Sequence, residues 1–306
     1  MKHVLNVEQF TPEDLTRLFK EADIMREHVA DPAKSLELAR KHHGKQICTL
    51  FYEPSTRTRF SFESGALKLG MGVVSTENAG EFSSASKGET ITDTMQMLNG
   101  YQFAAVVIRH PQTGIVATAA EASDAPIINA GDGKGDHPTQ SLLDLYTIHR
   151  HFRRLENLRI VMGGDLQNGR TVRSLAKLLS KYSGNHITFV SLPQLQMDDD
   201  VKAVLDASGT TFNELHAIDD AFADADVVYW TRLQAERLDP ANVLANGGFT
   251  LNAAVLTGLP EKAIIMHPLP RVDEIAVEVD ADPRAKYFEQ AANGLYVRMA
   301  LLDHLV

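Results

Sequence analysis

Gln46-Ile47-Cys48-Thr49-Leu50-Phe51-Tyr52-Glu53-Pro54-Ser55-Thr56-Arg57-Thr58-Arg59-Phe60-Ser61-Phe62-Glu63 decides the fold class of this chain. The apolar run 46–52 predicts a buried strand, and the spacing from Arg57 onward predicts a helix. A strand that stops where a helix starts puts unpaired backbone N–H groups at the strand end. Here they are joined by the hydroxyls of Ser55, Thr56 and Thr58 and by two guanidinium groups, with no negative side chain from Ser55 to Arg59. All of these donate to an oxyanion such as phosphate. The same letters also spell an N-cap before a solvated helix face. The buried strand end and the repeated threonine-arginine pairing favour the anion site.

Working outward, strand-like runs at 46–52, 73–76, 104–109 and 126–130 alternate with helix-like ones at 57–69, 89–98 and 114–122. That alternation predicts a parallel sheet with crossover helices. After a helical stretch at 138–152 it resumes, with strands at 158–162, 186–191, 226–231 and 263–266. The expected class is therefore α/β, with two doubly wound parallel-sheet lobes joined by interdomain helices and a hinge within 137–150. The final stretch, 289–306, is helical by its spacing of Leu295, Met299 and Leu302 and is expected to return to the first lobe. The expected division is 1–137 plus 291–306 for one domain and 138–290 for the other.

Composition narrows the partners. The 306 residues suit two domains, and a formal charge of -10 disfavours general nucleic-acid or membrane-surface binding. No apolar run approaches the roughly 18 residues of a membrane span. The first residues lack an apolar signal segment and the one cysteine, Cys48, has no internal partner, so a cytoplasmic location is expected. Twelve histidines show no metal-ligand spacing, and neither a metal nor a cofactor is expected. An anionic ligand must then be held by local arginines.

Five further strand ends carry polar groups. Gly131 to His137-Pro138-Thr139-Gln140 is a glycine-rich loop entering a helix, and His137 and Gln140, three apart, could both donate to one carbonyl. Arg109-His110-Pro111 adds a third donor to that lobe. In the second half, Gly164-Asp165-Leu166-Gln167-Asn168-Gly169-Arg170-Thr171 nearly fits a nucleotide P-loop, but Arg170 replaces the lysine, and a planar fork suits a carboxylate better. Arg232 and Gln234 would share a face of an extended segment, and the prolines of His267-Pro268-Leu269-Pro270-Arg271 would leave free carbonyls for a substrate amide.

Taken in order over essentially the whole chain, these segments resemble the aspartate/ornithine carbamoyltransferase family. Ser55-Thr56-Arg57-Thr58-Arg59 resembles its carbamoyl phosphate signature, and His137-Pro138-Thr139-Gln140 its second motif. His267-Pro268-Leu269-Pro270-Arg271, Arg232-x-Gln234 and the Lys87 loop match the aspartate branch, where ornithine enzymes carry His-Cys-Leu-Pro. The resemblance implies transfer of a carbamoyl group from carbamoyl phosphate to the amine of L-aspartate, an early step of pyrimidine synthesis. It implies that Ser55, Thr56, Arg57, Thr58 and Arg109 hold the phosphate and carbonyl. His137, Gln140 and the backbone of Leu269 and Pro270 would contact the carbamoyl group, and Arg170, Arg232 and Gln234 the aspartate carboxylates. Arg57, Thr58, Arg109 and His137 would carry the catalysis. Lys87, as a further aspartate-binding residue, and Ser83, with Ser84 and Ser86 as alternatives to the serine, would reach a neighbouring subunit's site in a homotrimer. A regulatory chain is a further partner the resemblance allows. The competing readings are an ornithine or related carbamoyltransferase, a P-loop nucleotide hydrolase and a two-lobed solute-binding protein.

Overall fold

The strand read from residue 46 is β1 (Gln46–Phe51), buried along all but its first residue, as a strand covered on both faces must be. A computed structural model describes residues 1–218, 221–232 and 249–306. The chain divides into two compact units, Met1–Leu143 with Ala292–Val306, and Asp144–Ala291.

The first unit opens with two helices that the alternation from residue 46 onward did not include. α1 (Pro12–Ala30) starts at a capping box between Thr11 and Asp14, and α2 (Pro32–Lys41) at Asp31, whose carboxylate accepts from the N–H groups of Ala33 and Lys34. Then follow α3 (Thr56–Lys68), β2 (Gly72–Glu77), α4 (Ala79–Phe82), α5 (Ile91–Asn99), β3 (Ala105–His110), α6 (Ile115–Ala122), β4 (Ile127–Asp132) and α7 (Pro138–Phe152). The sheet runs β2-β1-β3-β4, all parallel. Cys48, Leu50, Val106 and Ile108 pack with Met95 and Ala119 of the covering helices to form a core. The boundary between units falls inside α7, between Leu143 and Asp144, rather than at the start of that helix.

The second unit contains β5 (Arg159–Gly163), α8 (Arg170–Leu179), β6 (His186–Val190), α9 (Asp199–Ser208), β7 (Thr211–Leu215), β8 (Val227–Trp230) and β9 (Ile264–Met266). Its parallel sheet runs β7-β6-β5-β8-β9. Strand β7 was not expected from the sequence. It lies at the sheet edge, has no fully buried residue and reads Thr-Phe-Asn-Glu-Leu, so no apolar run marks it. The C-terminal helix (Tyr287–Leu305) begins in the second unit and ends in the first.

Each sheet has one point where the strand order reverses. The chain leaves β1 for β2 on one side and reaches β3 on the other; it leaves β5 for β6 on one side and reaches β8 on the other. Open α/β sheets bind ligands beyond the carboxyl ends of the strands at such points.

Candidate active site

In the first unit, Phe51 of β1 stands opposite Arg109 of β3, and the N–H of Tyr52 donates to the Arg109 carbonyl at 2.8 Å. The register therefore brings the first turn of α3 beside Arg109. Ser55 occupies the N-cap position of α3, yet its side chain makes no capping hydrogen bond. Thr11 and Thr90, the caps of α1 and α5, both accept from their own helices. The first turn of α3 is thus left open to an outside acceptor. Thr58 is buried, whereas Thr56 and Arg57 are exposed. Arg57 has no carboxylate partner among the described residues; partial burial draws its pKa below the usual arginine range without removing its charge.

Arg59 departs from the reading of two phosphate-binding arginines. It turns to β2, 3.2 Å from Glu77 and 3.8 Å from Glu63, and Glu77 also accepts from the N–H of Ser55 at 3.4 Å. A helix residue two positions beyond Arg57 faces away from it, so only one of the pair can face the strand end. Arg109 donates to the Ala130 carbonyl at 3.3 Å and lies 3.5 Å from Glu53. His110 packs on the Tyr52 ring at 4.6 Å and accepts from the N–H of Gln112; burial lowers its pKa against the opposing pull of Glu53.

The glycine-rich loop is organised from inside by Asp132. Its carboxylate accepts from the N–H groups of Gly114 at 2.8 Å and Asp136 at 3.1 Å and from the Asn129 amide at 3.1 Å. The loop delivers His137, 3% exposed, to the residue before α7, where its carbonyl accepts from the N–H groups of Gln140 and Ser141. His137 therefore stands at the cap position, one residue before the helix. In the loop after α4, the Ser83 hydroxyl donates to the Ala79 carbonyl and that of Ser86 to the Ser83 carbonyl. Lys87 is exposed and pairs with no carboxylate among the described residues.

In the second unit, Gly163 of β5 stands opposite Trp230 of β8, where a Cβ would lie 2.0 Å from the indole ring. Gly164 follows at φ +108°, with the space for a Cβ filled by the Thr231 carbonyl at 2.2 Å. The loop then wraps Asp165, whose carboxylate accepts from the N–H of Asn168 at 2.9 Å. The ground against a nucleotide P-loop remains Arg170, which stands where that motif needs its lysine. Arg170 is the first residue of α8 and Arg232 the second residue after β8; both are half-buried. Gln234 lies outside the described residues.

The segment after β9 is held by buried groups. His267 Nδ1 accepts from the N–H of Leu269 at 2.8 Å, so Nε2 carries the proton and donates to Glu274 at 2.7 Å. Burial pushes the Glu274 carboxyl up, but hydrogen bonds from His267 and the Val272 N–H outweigh it, leaving the pKa below the usual range. The N–H of His267 donates to Gln290, which donates to Asp144; Asp144 also accepts from Tyr229 at 2.8 Å. Leu269 is left at φ +53° before a cis bond to Pro270. Arg271 is engaged by Asp280 and Tyr287.

Comparison with known proteins shows the family and the fold. Residues 2–150 match the family model described as aspartate/ornithine carbamoyltransferase, carbamoyl-P binding domain, and residues 156–305 match its Asp/Orn binding domain. The chain belongs to the aspartate/ornithine carbamoyltransferase family. It is 46% identical over 307 residues to a chloroplastic aspartate carbamoyltransferase of Oryza sativa subsp. japonica, covering 99% of this chain and 84% of that protein. A chloroplastic relative from Arabidopsis thaliana is 47% identical, covering 100% of this chain and 78% of the relative. The catalytic subunit of M. jannaschii aspartate transcarbamoylase superposes with a TM-score of 0.92 at 42% identity, covering 100% of this chain and 98% of that one. The Trypanosoma cruzi enzyme in complex with carbamoyl phosphate gives 0.92 at 38% identity, covering 100% and 96%.

Several residues that shape these strand ends escaped the sequence reading: Glu77, Asp132, Asp165, Glu274 and Gln290. A signal existed for two of them. Gly131-Asp132 and Gly164-Asp165 are Gly-Asp pairs at strand ends in both halves, and aspartate there commonly accepts from backbone N–H groups a few residues on. Among the described residues no group of three His, Cys, Asp or Glu side chains could hold a metal, and no helix is long and apolar enough to cross a membrane.

Proposed function

We propose that the chain transfers the carbamoyl group of carbamoyl phosphate to the amino group of L-aspartate, giving N-carbamoyl-L-aspartate and phosphate. The observation that carries this is the uncapped first turn of α3, with Ser55, Thr56, Arg57 and Thr58, beside Arg109 at the point where the first sheet reverses order. It is an anion site built from donors at the expected place in a chain whose halves match a carbamoyl phosphate domain and an Asp/Orn domain.

In this reading Arg57 with Ser55, Thr56 and Thr58 takes the phosphate. Arg109, Thr58 and His137 stabilise the carbonyl oxygen as it gains negative charge, and Gln140 with the Leu269 and Pro270 carbonyls orients the carbamoyl amide. Arg170, Arg232 and Gln234 take the two carboxylates of aspartate; a cationic ornithine side chain would be poorly placed beside two arginines. The neutral amine forms a C–N bond to the carbamoyl carbon, the C–O bond to phosphate breaks, and the amine proton leaves on the departing phosphate. Carbamoyl phosphate arrives activated, so no covalent nucleophile is needed, and positioning supplies on the order of 7 kcal/mol or more of the barrier.

The proposal extends to a homotrimer in which Ser83 and Lys87 serve a neighbouring site. The exposed Lys87, unpaired among the described residues, supports this. Mixing Arg57→Ala with Lys87→Ala chains should restore part of the activity in hybrids; none, with exchange of subunits demonstrated, removes the shared site. A role in pyrimidine synthesis and a cytoplasmic location belong to the same proposal, as does the capacity to bind a regulatory chain. The test of the activity is ureido-product formation by the purified chain with carbamoyl phosphate and either L-aspartate or L-ornithine. Turnover with aspartate is expected; turnover with ornithine alone would overturn the assignment of Arg170, Arg232 and Gln234.

A further inference from the structure

The C-terminal helix carries a buried arginine that none of these roles uses. Arg298 is 2% exposed and belongs, with α3 and the start of α7, to the first unit. Its Nη1 donates to the Ser61 hydroxyl at 2.9 Å and its Nη2 to the Thr139 hydroxyl at 3.3 Å, while the guanidinium lies 5.2 Å from the centre of the Phe62 ring. Ser61 in turn offers its proton to the carbonyls of Arg57, at 2.7 Å, and Thr58, at 3.0 Å. Thr139 is fully buried between His137 and Gln140. One side chain thus touches, through one hydroxyl each, the turn that carries Arg57 and Thr58 and the turn that carries His137 and Gln140.

The surroundings are shaped for that guanidinium. Gly294 lies one turn before Arg298 on the same helix face, and a Cβ there would stand 2.5 Å from Nη1 and 3.1 Å from the Leu143 side chain. At Gly65 a Cβ would come 3.1 Å from the Met299 side chain, so α3 and the C-terminal helix approach closely where Arg298 crosses between them. Only a planar fork reaches both hydroxyls from two nitrogens; a lysine ammonium is a single point on a flexible stem. Hydrogen bonds with one charged partner belong to the stronger class.

We infer that Arg298 is a positioning residue that fixes the phosphate donors at the start of α3 relative to the carbonyl donors at the start of α7, without itself touching substrate. The inference rests on the carbamoyl phosphate reading of the first unit. Its experiment compares wild type with Arg298→Lys, Arg298→Met, Ser61→Ala and Thr139→Val in thermal unfolding, in binding of inorganic phosphate, and in the kinetics of both substrates. Arg298→Met is expected to raise the KM for carbamoyl phosphate and lower kcat, each about tenfold, with the aspartate KM changing less than about threefold. Arg298→Lys should recover thermal stability without recovering the kinetics. Ser61→Ala and Thr139→Val, which remove one contact each, should weaken phosphate binding severalfold, and neither should add its full effect to Arg298→Met. An Arg298→Lys chain with wild-type kinetics overturns the inference, and so do losses that follow the melting temperature and affect both substrates equally. If Arg298→Met does not fold, wild-type phosphate binding in both hydroxyl variants has the same force. A wild-type chain that binds phosphate but does not consume carbamoyl phosphate would instead overturn the functional reading, and phosphate binding by the variants would still decide the role of Arg298.

Discussion

The two units place their site residues by the same rule and hold them by different means. In the first, four consecutive residues, Ser55 to Thr58, form the start of α3 directly after a buried strand, and their accessory ion pairs, Arg59 with Glu77 and Arg109 with Glu53, are partly exposed. In the second, the segment after β9 depends on side chains far apart in sequence, with Asp144, Tyr229, His267, Glu274 and Gln290 all buried. A helix start supplies its donors locally through its own geometry, whereas a loop without regular structure needs buried partners to hold its backbone. Chemistry and stability should therefore separate in the first unit and coincide in the second.

The largest expected effect tests that separation. Arg57→Ala should lower kcat by about 10²- to 10³-fold with little change in unfolding temperature, because the side chain is exposed and without a carboxylate partner among the described residues. A variant that unfolds early, or one that keeps its turnover, breaks the comparison at its strongest point.

Arg170→Ala should raise the aspartate KM by roughly 10- to 100-fold, the equivalent of about 1.5–3 kcal/mol for hydrogen bonds to a charged group, and leave phosphate binding unchanged. Parallel loss of both ligands in titrations would show that the two anion sites are not separately held.

Stability is where the second unit should be the more sensitive. Glu274→Ala leaves the buried His267 N–H without its acceptor and should cost about 1–3 kcal/mol in urea unfolding. Glu77→Ala removes a partly exposed pair and should cost less than about 1 kcal/mol. Equal costs would erase the distinction.

The smallest effect is the acid dependence of the same pair. The Glu274 pKa is lowered in the folded chain, so its contribution is complete above the usual glutamate value of about 4.3 and is lost as pH falls through the lower folded value. The stability difference between wild type and Glu274→Gln should narrow on acidification through that window; a gap that widens would contradict the sign.

Much of the first unit's candidate site was legible because its donor groups are contiguous. Ser55 to Arg59 reads as hydroxyls and arginines at a helix start, and the structure reassigns only Arg59, whose direction depends on carboxylates brought from β2 and the next turn of α3. The strand ends holding Arg109, His137 and Arg170 were also legible from apolar periodicity. Strand β7 was not, because an edge strand with no fully buried residue carries no apolar signature.

By itself the sequence determined the α/β class, the order of the buried strands, the donor-rich turn at Ser55 to Thr58 and the resemblance of its motifs to one family, because each of these is written in residues adjacent along the chain. Only the tertiary structure decided that Arg59 serves Glu77, that Gln290 and Glu274 hold the segment around Leu269, and that Arg298 reaches Ser61 and Thr139. Those partners are separated by many residues, and a hydrogen bond between distant residues has no local period or composition by which it can be read before the chain is folded.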